Sequence, residues 1–287
     1  LIILGMVTSF SLPPFNYFII NFFTFSLFFL FLVKKSKLHK NKKLFFFYGW
    51  LFGFGYFASN LYWISISLTF DQNYKFLIPL TIFLIPSFIA IFYGLVSFIF
   101  RILKPRSKVV SYLIFSLIFG VLEFVRGSIL TGFPWNLIAY SFSNYLEIIS
   151  ITSIVGTYAF NLFCISLFTT PAIFFISLKK KKSLGIGISV LIILISFFLY
   201  GLSYKGKFDK IVKEKNNFKI RVIGSNISLD RFYTDTDPIS VIEELIEISN
   251  PNNNEKTIFV WPEGILPKIS QNELVEYSQL FKNRFNE

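Results

Sequence analysis

The chain has few charged residues, and this scarcity narrows the kind of protein it is. Of its 287 residues only 15% are charged, whereas 54% are hydrophobic and 20% are aromatic, including 40 phenylalanines. A water-soluble domain usually covers its surface with about 25% charged residues. So little charge excludes a soluble globular fold, and so much aromatic mass excludes a disordered chain. We therefore predict an integral membrane protein.

Cysteine and histidine are scarcer still, with one of each. Cys164 has no second cysteine with which to form an internal disulfide, and His39 lies in a run of lysines, so neither belongs to a metal-binding motif. We accordingly expect no metal site and no cofactor. Because Cys164 lies in an apolar run with no base beside it in the sequence, we interpret it as a packing residue rather than a nucleophile.

The charges that are present are mostly positive, giving a net charge of +12. Fourteen of the 28 lysines and arginines fall in three short segments, at 34–43, 101–108 and 179–182. Such alternate basic loops are typical of the cytoplasmic face of a multi-span membrane protein and not of a nucleic-acid-binding groove. We therefore predict no nucleic-acid partner and a position on the outer, trans side of the membrane for everything after about residue 204.

Apolar runs of near-spanning length dominate the first part of the chain, since a helix needs about 20 residues to cross the hydrocarbon core. The runs are 1–12, 16–33, 44–68, 76–100, 109–125, 146–178 and 184–203. They predict a transmembrane helical domain over residues 1–204 with about seven spans. The first run is short and begins with leucine, from which we expect a truncated N-terminus. Gly49, Gly53 and Gly55 in the third run are spaced for close helix packing.

Residues 205–287 have a different pattern, which predicts a small α/β domain. After a polar linker, the predicted elements are a strand in 218–227, a helix capped by Asp237 with Pro238 at its first position, a strand at Thr257–Trp261, and a helix that starts at a capping box at Ser270 and runs to the chain end. Alternating strands and helices favour a parallel strand pair. About 80 residues close only a small core, so we expect this domain to be incomplete.

One carboxylate stands where such sheets bind ligands. Glu263 follows the second predicted strand directly, between Pro262 and Gly264, and ligands bind at the carboxyl ends of parallel strands. A carboxylate held there is a candidate general base. The alternative interpretation is a solvated loop residue that caps the next helix.

A second carboxylate, Glu123, lies three residues before Arg126 near the end of the run 109–125, on the same helix face. Ionisable groups inside a membrane are costly, and they are candidate functional residues by default. The two charges have opposite sign and lie within reach of each other. We interpret them as a structural pair.

Several motifs, taken together and in this order, resemble the bacterial apolipoprotein N-acyltransferase family. They are the stretch Gly49–Ser59 leading into Leu61–Trp63, then Glu123–Gly127 (EFVRG), Thr131–Asn136 (TGFPWN) and Trp261–Glu263 (WPE). The resemblance implies a polytopic inner-membrane enzyme whose helical bundle precedes a periplasmic nitrilase-like domain, an αββα sandwich of the carbon–nitrogen hydrolase type. One departure is Ile223–Asn226, where the family often has a VQGN-like strand end.

The resemblance also implies a reaction, which is the last step of lipoprotein maturation. An acyl chain passes from a phospholipid to the N-terminal diacylglyceryl-cysteine of an apolipoprotein, by way of a glutamate, a lysine and a cysteine that becomes a thioester. Glu263 matches the family's general base. The lysine and the cysteine of the family fall beyond Glu287, so residues 1–287 alone are expected to be inactive.

The same resemblance implies the partners, which are a phospholipid donor, a diacylated apolipoprotein acceptor and membrane lipid, with the enzyme acting as a monomer. Phe133 and Trp135, in the loop 127–145, are candidates for lining a substrate entrance, or equally for an ordinary interfacial aromatic belt. Two other functions stay open. One is a different membrane-tethered nitrilase-type amidase or acyltransferase, and the other is a membrane scaffold or transporter.

Overall fold

The structure is a computed structural model, and it describes residues 1–103, 105, 107–176, 180–210, 218–224, 237–252, 256–266 and 270–282. The chain divides into two compact units, Leu1–Ile211 and Val212–Glu287. The first unit is helical and the second combines strands with helices, as the change of composition along the sequence predicts.

The helices of the first unit are, in chain order, α1 (Ile2–Ser9), α2 (Ile20–Leu38), α3 (Lys42–Leu61), α4 (Ile78–Leu103), α5 (Lys108–Ser128), α6 (Leu146–Ile149), α7 (Thr152–Val155), α8 (Thr157–Thr169), α9 (Pro171–Phe175) and α10 (Lys180–Asp209). Short 3-10 helices at Tyr62–Thr69, Gln72–Leu77 and Ile138–Phe142 connect them.

Four helical stretches within the described residues are long and apolar enough to cross a bilayer. They are Gln72–Leu103, Lys108–Ser128, Thr157–Phe175 and Lys181–Asp209. This confirms a helical membrane domain, although the number of seven spans stays a prediction. Helices α2 and α3 have 19 and 20 residues, but the lysines of the loop between them extend into the ends of both helices.

Two predicted spans are wrong in their bounds. The run 146–178 is interrupted at Gly156, whose φ of +79° ends α7 and starts α8, so its apolar spanning stretch begins only at Thr157. The run 44–68 stops being α-helical at Leu61. Beyond it Ser65, Ser67 and Thr69 each donate a hydroxyl hydrogen bond to the carbonyl three residues earlier, at 2.6–2.7 Å. Such local bonds compete with the α-helical pattern, and the chain forms a 3-10 helix there.

Glycines bring α3 against its neighbours, which confirms the packing interpretation. A Cβ atom at Gly49 would lie 2.0 Å from the carbonyl oxygen of Tyr93 on α4, and one at Gly55 would lie 2.1 Å from the carbonyl oxygen of Ile2 on α1. No side chain fits in either place. Close backbone approach of this kind holds membrane helices together, because lipid supplies no hydrophobic force between them.

Phenylalanines fill the space between the helices. Phe28 of α2 stacks on Phe52 of α3 with ring centroids 4.2 Å apart, and Phe119 of α5 meets Tyr93 of α4 edge-on at 4.6 Å. All four side chains are fully or almost fully buried. Aromatic pairs in these geometries add to the energy of packing. The abundant phenylalanine therefore forms much of the core.

The second unit contains a parallel strand pair, as predicted. Strand β1 (Lys219–Val222) pairs with β2 (Thr257–Val260) in parallel, with Lys219 opposite Thr257. Helix α11 (Pro238–Ser249) lies between them in the sequence, and its buried residues are Val241, Ile242, Leu245, Ile246 and Ser249. The predicted cap is confirmed, since the Asp237 carboxylate accepts hydrogen bonds from the backbone N–H groups of Ile239 and Ser240.

Two other predicted segments in this region have different bounds in the structure. The predicted linker begins inside α10, which continues to Asp209, while residues 211–217 lie outside the described residues. The capping box at Ser270 is confirmed, and the N–H of Ser270 lowers the pKa of the Glu273 carboxyl by donating to it at 2.7 Å. The helix it starts is divided into α12 (Gln271–Leu274) and α13 (Ser278–Lys282) by a 3-10 turn. Residues 283–287 and 225–227, the end of the predicted first strand, lie outside the described residues.

Candidate functional site

The end of β2 is held in place by hydrogen bonds to α11. The indole N–H of Trp261 donates to the hydroxyl of Ser249 at 2.8 Å, and that hydroxyl donates to the carbonyl of Leu245 at 2.6 Å. From β1, the guanidinium of Arg221 donates to the carbonyls of Ser249 and Asn250, both at 2.7 Å. Both strands are thereby fixed to the last turn of the same helix.

Glu263 lies two residues beyond this fixed point, in a turn directly after β2. Its side chain is exposed, and the next residue, Gly264, has a φ of +69° that L side chains rarely adopt. The carboxylate is therefore presented at the carboxyl end of the strand, the position that the sequence predicts. Its role as a general base stays a prediction.

In the membrane unit, Glu123 and Arg126 form the predicted ion pair. A guanidinium nitrogen of Arg126 lies 2.5 Å from a carboxylate oxygen of Glu123, and both side chains are only 1% exposed. An uncompensated charge at this depth is strongly unfavourable, so each residue requires the other.

Arg126 also organises the loop that follows α5. Its second terminal nitrogen donates to the carbonyl of Phe133 at 2.7 Å and to that of Trp135 at 2.9 Å. Its guanidinium carbon lies 5.2 Å from the centre of the Phe57 ring and 5.8 Å from that of Phe133. A single buried arginine therefore joins α5, α3 and the loop through hydrogen bonds and cation–π contacts.

The loop backbone is strained where it turns. Leu130, Thr131 and Asn136 have positive φ values of 53°, 71° and 58°. Such conformations cost non-glycine residues free energy and persist only where the surroundings impose them. One such constraint is the hydroxyl of Tyr56 on α3, which donates to the carbonyl of Asn136 at 2.9 Å. The strained residues and the hydrogen bonds that constrain them lie on either side of Phe133 and Trp135.

Two aromatic rings of the loop, Phe133 and Trp135, meet Trp63 of the 3-10 helix after α3, and we call these three rings the aromatic shelf. The two indoles stack with centroids 5.8 Å apart and an interplanar angle of 24°, and Phe133 lies 5.6 Å from Trp135. Trp135 is 53% exposed and Trp63 45% exposed, although the loop backbone beneath them is fixed. The shelf offers an apolar surface at the end of the bundle.

The structure thus brings Phe133 and Trp135 together, whereas Glu263 belongs to the other compact unit. Sequence reasoning missed Trp63, which joins the shelf from the 3-10 helix after α3. The motif around Leu61–Trp63 signalled that residue, but its partner lies 72 positions later.

Cys164 is fully buried in α8, as interpreted. Within the described part of the chain, no three His, Cys, Asp or Glu side chains are grouped as metal ligands.

Comparison with known proteins identifies the first unit. Residues 4–169 match the family described as apolipoprotein N-acyltransferase N-terminal domain. That match covers more than half of the chain, runs from within α1 to the end of α8, and includes the aromatic shelf.

Individual relatives carry the similarity into the second unit. A protein of Rhizobium rhizogenes named apolipoprotein N-acyltransferase is 29% identical over 283 residues, covering 93% of this chain and 52% of the relative. Proteins of the same name from Allorhizobium ampelinum and Rhodopseudomonas palustris are 27% and 26% identical, covering 92% and 96% of this chain and 51% and 53% of the relatives. The chain spans about half the length of the curated relatives it matches.

Proposed function

Because this chain belongs to the apolipoprotein N-acyltransferase family, a family of acyltransferases, we propose that it takes part in the N-acylation of lipoproteins. The proposed donor is a phospholipid, and the proposed acceptor is the N-terminal diacylglyceryl-cysteine of an apolipoprotein. Both substrates are held in a membrane by their acyl chains. A membrane-embedded enzyme reaches them without extracting either from lipid.

The observation that carries the proposal in the structure is the aromatic shelf. Trp63 and Trp135 expose broad apolar faces, and buried hydrogen bonds from Arg126 fix the backbone beneath Trp135. An ordinary interfacial belt needs aromatic side chains at the membrane surface but no buried arginine that orients them. The fixed backbone and its strained turn favour a surface shaped for acyl chains, so we propose that the shelf lines the substrate entrance.

Glu263 is the proposed general base of the second unit. In the proposed reaction the carboxylate takes the proton of a thiol supplied from beyond Glu287, and the thiolate attacks an acyl ester of the phospholipid. The lysophospholipid leaves as an alcohol with that proton, and an acyl thioester remains. The α-amino group of the acceptor then attacks the thioester, which forms the amide and releases the thiol. The exposed turn after β2 leaves room for such partners.

The proposed orientation follows from the basic loops. The loops at 34–43, 101–108 and 179–182 are assigned to the cytoplasm, which assigns the loop 127–145 and the α/β unit to the periplasm. The aromatic shelf then lies at the periplasmic surface of the inner membrane, where the proposed lipoprotein substrates are presented. We propose that the enzyme acts there as a monomer, with no cofactor.

The test uses the full-length protein purified in detergent. We expect it to convert a synthetic diacylated lipopeptide into the N-acylated product when phospholipid is supplied, with one lysophospholipid formed for each product, as measured by mass spectrometry. A nitrilase-type amidase would instead release ammonia or a carboxylic acid from an amide. If no N-acylated peptide forms and an amide is hydrolysed, the protein is a nitrilase-type amidase and the proposal is wrong.

A further inference from the structure

A pocket of about 320 Å³ lies between α2, α4 and α5, at the end of the bundle that carries the basic loops. The residues that line it are Val33, Ser36, Lys37, Phe100, Arg101, Pro105, Lys108 and Ser111. Three of the eight are cations and none is an acid. The aromatic shelf belongs to the opposite end of α5, so this pocket is separate from the proposed entrance.

Arg101 is the residue that makes the pocket unusual. Its side chain is 7% exposed, and its Nε atom is buried without a hydrogen-bond partner among the described residues. Its guanidinium carbon lies 5.5 Å from the centre of the Phe45 ring, a contact that satisfies none of its N–H donors. A buried charge is costly unless it is paired and hydrogen-bonded. Among the described residues, no carboxylate pairs with this guanidinium.

No carboxylate of the membrane unit supplies an anion to this guanidinium. The first unit, Leu1–Ile211, contains four acidic residues, Asp71, Glu123, Glu147 and Asp209. Asp71 precedes α4, whereas Arg101 is near the end of that 26-residue helix. Glu123 lies fifteen residues after Lys108 along α5, which is about 22 Å at 1.5 Å per residue. Glu147, in α6, is paired with Lys205 near the end of α10. Asp209 is the last residue of α10, beyond Lys205. All four carboxylates belong to the opposite end of the bundle.

The rest of the pocket also favours negative charge. Lys37 approaches from α2 and Lys108 from the first turn of α5. The N-cap of α5 is Ser107, whose side chain makes no capping hydrogen bond. The first N–H groups of a helix have no partners within the helix, and its dipole places partial positive charge there. Cationic side chains and a helix N-terminus thus converge around a buried guanidinium.

We propose that this pocket binds the phosphate headgroup of an anionic phospholipid from the leaflet on the basic-loop side. A guanidinium presents N–H groups in a planar fork that matches two phosphate oxygens, so Arg101 is the principal ligand, and Lys37 adds charge. The pocket opens between membrane helices near their ends, the depth at which headgroups lie. Val33 and Phe100 line it with apolar surface suited to the glycerol backbone and the first acyl carbons.

The proposal is tested by native mass spectrometry of the full-length protein in detergent, with phosphatidylglycerol added in steps. Arg101→Gln is expected to weaken phosphatidylglycerol binding about tenfold or more, because one charge-assisted contact is lost. The matched control is Lys40→Gln, which also removes one positive charge, from an exposed position in the basic loop 34–43 and outside the pocket. It is expected to leave binding within about twofold of the unsubstituted protein, since an exposed charge contributes little. Equal losses in both variants, or none in Arg101→Gln, overturn the proposal.

Two further arms identify the source of the phosphate and allow for misfolding. The phosphate of phosphatidylcholine is offset by its choline cation, so the headgroup has no net charge, and it is expected to bind at least about tenfold more weakly because binding depends on net negative charge. If inorganic phosphate occupies the site and phosphatidylglycerol does not, the assignment of the ligand as a lipid is overturned. Ser36→Phe fills the pocket and keeps every cation. If Arg101→Gln is not monodisperse, loss of binding in Ser36→Phe supports the proposal and retention overturns it.

Discussion

Glu263 depends on neighbouring side chains for its position, because the turn that carries it follows a strand end that Trp261 and Ser249 hold. A general base acts only within hydrogen-bond reach of the proton it removes. The fixed strand end holds the turn that carries the exposed carboxylate, which a positioned base requires.

We predict that Glu263→Gln in the full-length protein lowers the rate of acyl-thioester formation about 10²–10⁴-fold, because the amide keeps the shape but lacks the basicity. Glu263→Asp is expected to lose nearly as much, since a carboxylate displaced by about 1 Å no longer reaches the proton. The measurement is thioester mass after incubation with phospholipid, on equal amounts of folded protein. The control is Glu276→Gln, an exposed carboxylate in the same unit. If Glu263→Gln forms the acyl thioester at the wild-type rate, Glu263 is a loop residue and not the general base.

The buried pair of Glu123 and Arg126 gives a second prediction at the same scale. Glu123→Gln leaves the Arg126 guanidinium charged, only 1% exposed and without a counter-ion. Removing one partner of a buried pair costs about 3–5 kcal/mol of folding free energy. We therefore expect a lower yield and a lower melting temperature in detergent, with a nearly normal rate for the enzyme that does fold.

Glu147→Gln is the matched control for Glu123→Gln, because Glu147 forms an ion pair with Lys205 in which the lysine is 59% exposed. Exposed pairs contribute little to stability. If the melting temperature falls equally in both variants, burial does not make the Glu123–Arg126 pair more stabilising than the exposed pair.

At the scale of elements, the contacts of α3 depend on the absence of side chains. Gly49 and Gly55 face different neighbours, α4 and α1, so one helix packs closely on two sides. The spacing of these glycines identifies packing surfaces in the sequence. It does not identify which helix packs on which glycine, because that choice depends on how the whole bundle is arranged.

We predict that Gly49→Ala destabilises the bundle although alanine favours helices. The new Cβ would lie 2.0 Å from the carbonyl oxygen of Tyr93, so α3 and α4 must move apart. Overpacking of this kind costs about 1–3 kcal/mol or more. Gly206→Ala is the control, because a Cβ at Gly206 meets no atom within 4 Å and alanine only improves helix propensity. Equal melting temperatures of the two variants would contradict the packing argument.

At the scale of the whole molecule, the basic loops predict which side of the membrane each unit occupies. In a Cys164→Ala background, a cysteine introduced as Glu247→Cys on α11 is expected to react with a membrane-impermeant thiol reagent in intact spheroplasts. Glu247 is exposed in the structure, so access depends on the side of the membrane. Lys40→Cys, in a basic loop, is expected to react only after lysis. The reverse labelling pattern would show that the protein has the opposite topology in the membrane.

Much of the fold was predictable from local patterns. The parallel pair of β1 and β2 followed from alternating strand and helix signals, and the caps at Asp237 and Ser270 followed from their residue types. The bounds of the apolar runs were less predictable. Gly156 and the hydroxyls of Ser65 to Thr69 interrupt runs that hydropathy treats as continuous, because hydropathy does not register backbone conformation.

Composition and basic-loop spacing by themselves determined that this is a membrane protein, since a chain with so few charges has no other way to cover its apolar surface. The motifs determined the family. Only the tertiary structure decided that Arg126 holds the loop of Trp135, that Trp63 completes the aromatic shelf, and that Arg101 is buried with no carboxylate partner in the described part of the chain. Those contacts join helices distant in the sequence, and a local pattern specifies which face of a helix is buried but not what it is buried against.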